Sequence, residues 1–146
     1  MGKRRKARES TLQILFQLEF NDSDEEKVFR LYWKDKKATK DLKDYCRWLL
    51  RGVVAHRESI DKSIQSVSKR WRLSRMPVVD RNILRMAVFE LQYEEDVEPA
   101  IVINEAIEIA KKYSGEQAAT FINGVLDTLS KKSNDKKGSL RDEEHD

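Results

Sequence analysis

The sequence predicts an all-α fold, and three observations carry that prediction. Apolar residues recur at three- and four-residue spacing along most of the chain, the pattern of amphipathic helices. Only 2 prolines and 5 glycines punctuate 146 residues, so few places force a helix to stop. No run alternates polar and apolar residues for long enough to suggest a sheet.

The first helix is expected to start near Arg4–Ala7 and to reach Leu18 or Phe20, burying Ala7, Thr11, Ile14, Leu15 and Leu18. Lys3, Arg4, Arg5, Lys6 and Arg8 crowd its amino end, where positive charge opposes the helix dipole by about 0.3–1 kcal/mol each. Two readings fit that placement: an anion arrives to meet the cluster, or the terminus is solvated and frayed. Asn21–Asp24 reads as a turn, with Ser23 and Glu26 at capping-box spacing. Val28, Leu31 and Tyr32 then face inward, and Lys34, Lys36 and Lys37 favour the carboxy end.

Thr39 is placed to cap a third segment with a stripe of Leu42, Tyr45, Cys46, Leu49, Leu50 and Val53. The stripe resumes at Ile60, Ile64, Val67 and Trp71, and its length predicts a break between Ala55 and Ser59. Gly52 suggests close helix packing there, and His56 a boundary. Arg72–Met76 is a connector. Pro77 opens a helix with core face Ile83, Leu84, Ala87, Val88 and Leu91, and Asp80 suits the dipole at its start.

After the acidic loop Glu94–Glu98, Pro99 opens a helix carrying Ile103, Ala106, Ile107, Ala110 and Tyr113 on one face. Gly115 ends it in a conformation that favours glycine. The last helix presents Ala118, Ile122, Val125 and Leu129, and Gly124 inside it suggests a backbone passing close by. Asn104 and Asn123 are read as internal amides tying helices together. Phe121 fits either core packing or stacking on an unpaired base. Residues 1–130 read as one domain, and residues 131–146 as a disordered polar tail.

Composition narrows the function. Charged residues make up 38% and hydrophobic residues 39%, enough apolar content for a core. Net charge is only +3, so the clustering of charge matters more than its sum. Cys46 is the only cysteine, which excludes an intrachain disulfide and fits a reducing compartment. Nothing approaches the roughly 20 apolar residues of a membrane helix, and Gln13, Gln17 and Glu19 break the segment that a signal peptide would need. A cytoplasmic protein is expected. The five glycines are scattered, one cysteine and two distant histidines make no zinc site, and no histidine is partnered for nucleophilic catalysis. No enzyme, cofactor or metal is expected.

Four blocks carry a resemblance: KRRKARESTLQILFQLEF (Lys3–Phe20), YCRWLLRGV (Tyr45–Val53), VVDRNILRMAVFEL (Val78–Leu91), and VINEAIEIAKKYSGEQAATFINGVLD (Val102–Asp127). In this order they resemble the NusB family of bacterial antitermination factors, the last two most specifically. The resemblance implies about seven helices in two small packed bundles. It implies a cytoplasmic RNA-binding transcription factor that pairs with the ribosomal protein NusE and binds boxA single-stranded RNA of nascent ribosomal-RNA transcripts. It also implies an antitermination complex with RNA polymerase, and leaves a homodimer of the free protein open.

Residue by residue, the family's basic arm falls on Arg4, Arg5, Lys6 and Arg8. Its RNA-contacting aromatic falls on Phe121, with Gln117 and Thr120 beside it. Thr120 stands at an often-basic position, which removes one expected phosphate contact. The family's NusE surface falls near Phe16 and Asp80. The expectation is that the basic arm folds back beside the corner of the last two helices, so that one polynucleotide meets both. Two alternatives remain: an RNA-binding domain like that of ribosomal-RNA cytosine methyltransferases, disfavoured because no cofactor-binding glycine loop follows Asp127, and a purely protein-binding helical adaptor.

Overall fold

The computed structural model describes the backbone of residues 2–144 and the side chains of residues 2–132. Seven α-helices follow one another: α1 (Gly2–Phe20), α2 (Glu25–Trp33), α3 (Lys40–Ala55), α4 (Arg57–Val67), α5 (Val78–Tyr93), α6 (Pro99–Tyr113) and α7 (Glu116–Glu144). A 3₁₀ turn at Leu73–Arg75 joins α4 to α5, and no strand occurs among the described residues. Helices α1, α2 and α3 pack together on one side, and α4, α6 and α7 on the other. Helix α5 lies against α1, α3, α4, α6 and α7 and so belongs to both groups. Its sequence explains the position: every residue from Asn82 to Glu90 is buried, whereas the other helices keep a wet face.

Local chemistry sets the boundaries. The Thr39 hydroxyl accepts the Leu42 N–H at 3.3 Å and caps α3. The break between α3 and α4 falls at His56, as the stripe length predicts. Pro77 and Pro99 stand at the starts of α5 and α6, where a missing N–H costs nothing. Gly115 alone among the described residues has positive φ, 132°, and its N–H bonds the Ala110 carbonyl at 2.8 Å to close α6. Ile14, Leu49, Leu50, Ile60, Ile64, Ile83, Leu84, Ile109, Ile122 and Leu126 centre one continuous core.

Several expectations are corrected. Helix α2 starts one residue beyond a Ser23 cap, with Asp24 at its N-cap and no side-chain capping bond. Leu31 is 61% exposed, because the nine-residue α2 buries Val28, Phe29 and Trp33 instead. Trp71 leaves the stripe because α4 ends at Val67. Helix α6 is rotated from the predicted face: Val102, Glu105, Ala106, Ile109 and Ala110 are buried, and Ile103, Ile107 and Tyr113 only partly. That rotation puts Asn104 in solvent, and Asn123 is exposed on α7. Gly124 faces open space, so no backbone passes it. Gly52 does mark close packing, but against a side chain: a Cβ there would run into the Phe89 ring. The backbone of the tail continues α7 to Glu144, and most of the tail's side chains, 133–146, lie outside the described residues.

Candidate nucleic-acid interface

The basic residues of α1 are not equivalent. Lys3, Arg4 and Lys6 are exposed. Arg5 is half-buried and donates from Nε to Glu105 Oε2 at 2.6 Å. Arg8 is only 4% exposed: its Nε donates to Glu90 Oε1 at 2.6 Å and its Nη2 to Glu90 Oε2 at 2.7 Å. Tyr45 adds its hydroxyl to Glu90 Oε2 at 2.8 Å. Burial and the Glu90 carboxylate hold that hydroxyl's pKa well above the ordinary tyrosine value, so it stays a donor. The Arg4 guanidinium lies 4.7 Å over the Tyr45 ring. The arm therefore offers three exposed cations, backed by a buried ionic base that fixes its direction.

At the other end of the molecule, α6 turns into α7 through Gly115. Gln117 and Thr120 are exposed on the first turns of α7, and the Thr120 hydroxyl donates to the Glu116 carbonyl at 3.0 Å. Phe121 is half-buried: one part packs on the core, and the rest lines an open cavity of about 580 Å³. Trp71, Met76, Asp80 and Gln117 line the same cavity. That volume falls within the roughly 300–1,000 Å³ of ligand clefts. Asp80 is 7% exposed, and its buried Oδ1 has no hydrogen-bond partner.

The arm and the corner lie at opposite ends of α6 rather than side by side. Arg8 on Glu90 near one end of the pair, and Arg81 and Arg85 on Glu19 near the other, make α1 and α5 antiparallel. Arg5 on Glu105, Lys112 on Glu9 and Gln13 on Tyr113 make α1 and α6 parallel. The arm thus lies beside Asp96, Val97 and Ile101, where α6 begins, and the corner lies where α6 ends. A helix of 15 residues separates them, about 22 Å at 1.5 Å per residue.

Of the two candidate partner residues, Phe16 is 42% exposed and its ring lies 5.0 Å from that of Phe20, itself 67% exposed. Asp80 lines the corner cavity. The segment Lys69–Arg75, which includes most of the expected connector Arg72–Met76, holds Lys69, Arg70, Arg72 and Arg75 exposed around a Trp71 that is 59% exposed. The alternation of basic residues with an aromatic was visible in the sequence as KRWRLSR.

Comparison with known proteins decides the family. The NusB family model matches residues 5–131, nearly the whole described chain. The chain belongs to the NusB family. The transcription antitermination protein NusB of Leptospira biflexa is 41% identical over 132 residues, which cover 90% of this chain and 94% of that protein. The solved structure of NusB from T. maritima superposes with a TM-score of 0.82 at 40% identity, covering 88% of this chain and 90% of that one. A crystal structure of the antitermination factors NusB and NusE with double-stranded RNA matches with a TM-score of 0.80 at 31% identity, covering 90% and 98%. In keeping with this NusB fold, no helix among the described residues is long and apolar enough to cross a membrane.

Proposed function

We propose that this chain is an RNA-binding transcription antitermination factor. It pairs with NusE and, with it, binds boxA RNA of nascent ribosomal-RNA transcripts in an antitermination complex with RNA polymerase. It works in the cytoplasm as a scaffold without turnover. The observation that carries this reading is the near full-length likeness to a NusB crystallised with NusE and RNA.

The surface chemistry supports the same reading and assigns roles. Lys3, Arg4 and Lys6 supply phosphate contacts at one end of α6, and Gln117, Thr120 and Phe121 meet the strand at the other. Arg8 acts by holding α1 on α5 rather than by touching RNA, because its side chain is buried and its Nε and Nη2 are bound to Glu90. Phe16 and Phe20 form an exposed aromatic pair suited to the protein partner. A single strand running along α6 links the two ends.

The test is binding of boxA RNA and of a scrambled RNA of equal length, with and without NusE, over a range of salt. Preference for boxA in the presence of NusE is expected. Equal affinity for both RNAs with NusE present overturns the proposal.

A further inference from the structure

The loop after α4 is held in a set shape by a side chain that precedes it. Gln65 Nε2 donates to the carbonyls of Ser68 at 2.8 Å and Trp71 at 3.0 Å, and its Oε1 accepts the Leu73 N–H at 2.9 Å. The Ser68 hydroxyl also donates to the Trp71 carbonyl at 3.0 Å. Leu73 and Met76 anchor the far end in the core. All these bonds use the backbone of the loop. The side chains of Lys69, Arg70, Trp71, Arg72 and Arg75 are left on the outside, and none of the four cations has an ion-pair partner among the described residues.

A large aromatic presented by a pinned loop differs from a tryptophan on a frayed one, since its ordering entropy is already spent before a ligand arrives. Trp71 lines the same cavity as Phe121, and Asp80 forms part of its wall. Two aromatics in one cavity, with Arg75 in its lining and Lys69, Arg70 and Arg72 exposed on the same loop, describe a slot for a flat ligand with an anionic backbone. Unpaired nucleotides have that chemistry: a π-face to stack and phosphates on either side.

We infer that Lys69–Arg75 is a second basic arm, in which Trp71 and Phe121 hold an unpaired RNA base in their shared cavity while Lys69, Arg70 and Arg72 meet the flanking phosphates. The inference rests on the RNA-binding reading above and adds to it. The charge that the corner of α6 and α7 was expected to receive from the amino terminus is supplied there by this loop. Two acids, Glu116 and the mostly buried Asp80, line the cavity against it.

The experiment is a fluorescence-anisotropy titration of labelled boxA single-stranded RNA and its scrambled control, with NusE present, over a range of salt. Five proteins are compared: wild type, Arg70→Ala/Arg72→Ala, Trp71→Ala, Trp71→Phe, and Arg4→Ala/Lys6→Ala. NusE affinity is measured separately without RNA, and folding by circular dichroism. The double loop variant is expected to lose about 1.4 from the log–log salt slope, at about 0.7 per phosphate. Trp71→Ala is expected to weaken binding about tenfold with the slope kept, and Trp71→Phe to restore most of it. NusE affinity is expected to stay at the wild-type value in all loop variants. If both loop variants bind RNA like wild type while the amino-terminal variant does not, this inference fails and the RNA-binding reading stands. If NusE affinity falls and RNA binding does not, the loop is a protein contact and the inference fails. If wild type does not prefer boxA, the parent reading fails and takes this one with it.

Discussion

Arg8 and Glu90 form a buried two-pronged ion pair, with Nε on Oε1 at 2.6 Å and Nη2 on Oε2 at 2.7 Å, between the amino end of α1 and the carboxy end of α5. Both side chains are within 5% of full burial. The pair joins the arm-bearing helix to the helix shared by both bundles. It turns a cation of the basic run into a structural tie.

Removing either partner leaves the other charge buried and unmatched. Arg8→Ala and Glu90→Ala are each expected to lower the unfolding free energy by about 3–5 kcal/mol, measured by urea denaturation. Replacing both with apolar residues of similar volume, Arg8→Met with Glu90→Leu, is expected to recover most of that loss, because no orphaned charge remains. A single-variant cost of about 0–1 kcal/mol, the range for exposed pairs, would show that the pair is not buried in solution.

The exposed cations behave differently. Arg4→Ala with Lys6→Ala is expected to leave the urea midpoint within error, since both side chains are solvated. The salt slope of RNA binding should become shallower by about 1.4, two phosphates at about 0.7 each. Phe121→Ala is expected to weaken RNA binding by about 1–3 kcal/mol with the slope unchanged. An unchanged slope in the double arm variant removes the arm from the interface.

How much of this was legible in the sequence follows from what each residue is asked to do. Helix boundaries were legible wherever one residue sets them: Thr39, Pro77, Pro99 and Gly115 act through their own backbone or hydroxyl chemistry. The family was legible from four local blocks, since such words need no fold to be read. The division of labour within the basic run was not, because Arg8 and Glu90 are 82 positions apart and each looks like an ordinary surface charge. A signal existed: Arg8 falls on the stripe of Thr11, Leu12 and Leu15, and Glu90 on that of Ile83, Met86 and Ala87. A charge on an apolar stripe calls for an opposite charge on another. The inward face of α6 was misjudged because Val102, Ile103, Ala106, Ile107, Ile109 and Ala110 cover too much of its circumference for periodicity to choose. The separation of the arm from the corner depends on the parallel course of α1 and α6, which no local pattern encodes.

Acid should act on Glu19. Burial pushes its carboxyl pKa up, but hydrogen bonds from Arg81 and Arg85 at 2.8 Å more than reverse this, and the folded value lies below the ordinary 4.5. A carboxyl depressed in the folded state stabilises above its unfolded pKa and loses that contribution as pH falls through the folded pKa. The stability difference between wild type and Glu19→Gln is therefore expected to be constant above about pH 5 and to shrink steadily below about pH 4.5. Urea titrations at several pH values from 6 downward measure it. A difference independent of pH across that window removes the Arg81–Glu19–Arg85 cluster as its source.

Two helical glycines give opposite predictions from the same substitution. Gly52 of α3 faces Phe89 of α5, which is 3% exposed and held between Trp48 and Tyr93, with ring centroids at 4.8 and 4.9 Å. A methyl group at Gly52 has nowhere to go unless that ring moves, and overpacking of this kind costs about 1–3 kcal/mol. Better helix propensity offsets only about 0.5–1 kcal/mol of it, so Gly52→Ala is expected to destabilise. Gly124 of α7 has no atom within 4 Å of an added Cβ. There the propensity gain stands alone, and Gly124→Ala is expected to stabilise by about 0.5–1 kcal/mol. Thermal and urea denaturation of the two variants side by side decide the matter. A stabilising Gly52→Ala would mean that α3 and α5 do not approach as closely as the Phe89 contact requires, and the aromatic stack from Trp48 to Tyr93 would then have to be looser than its geometry implies.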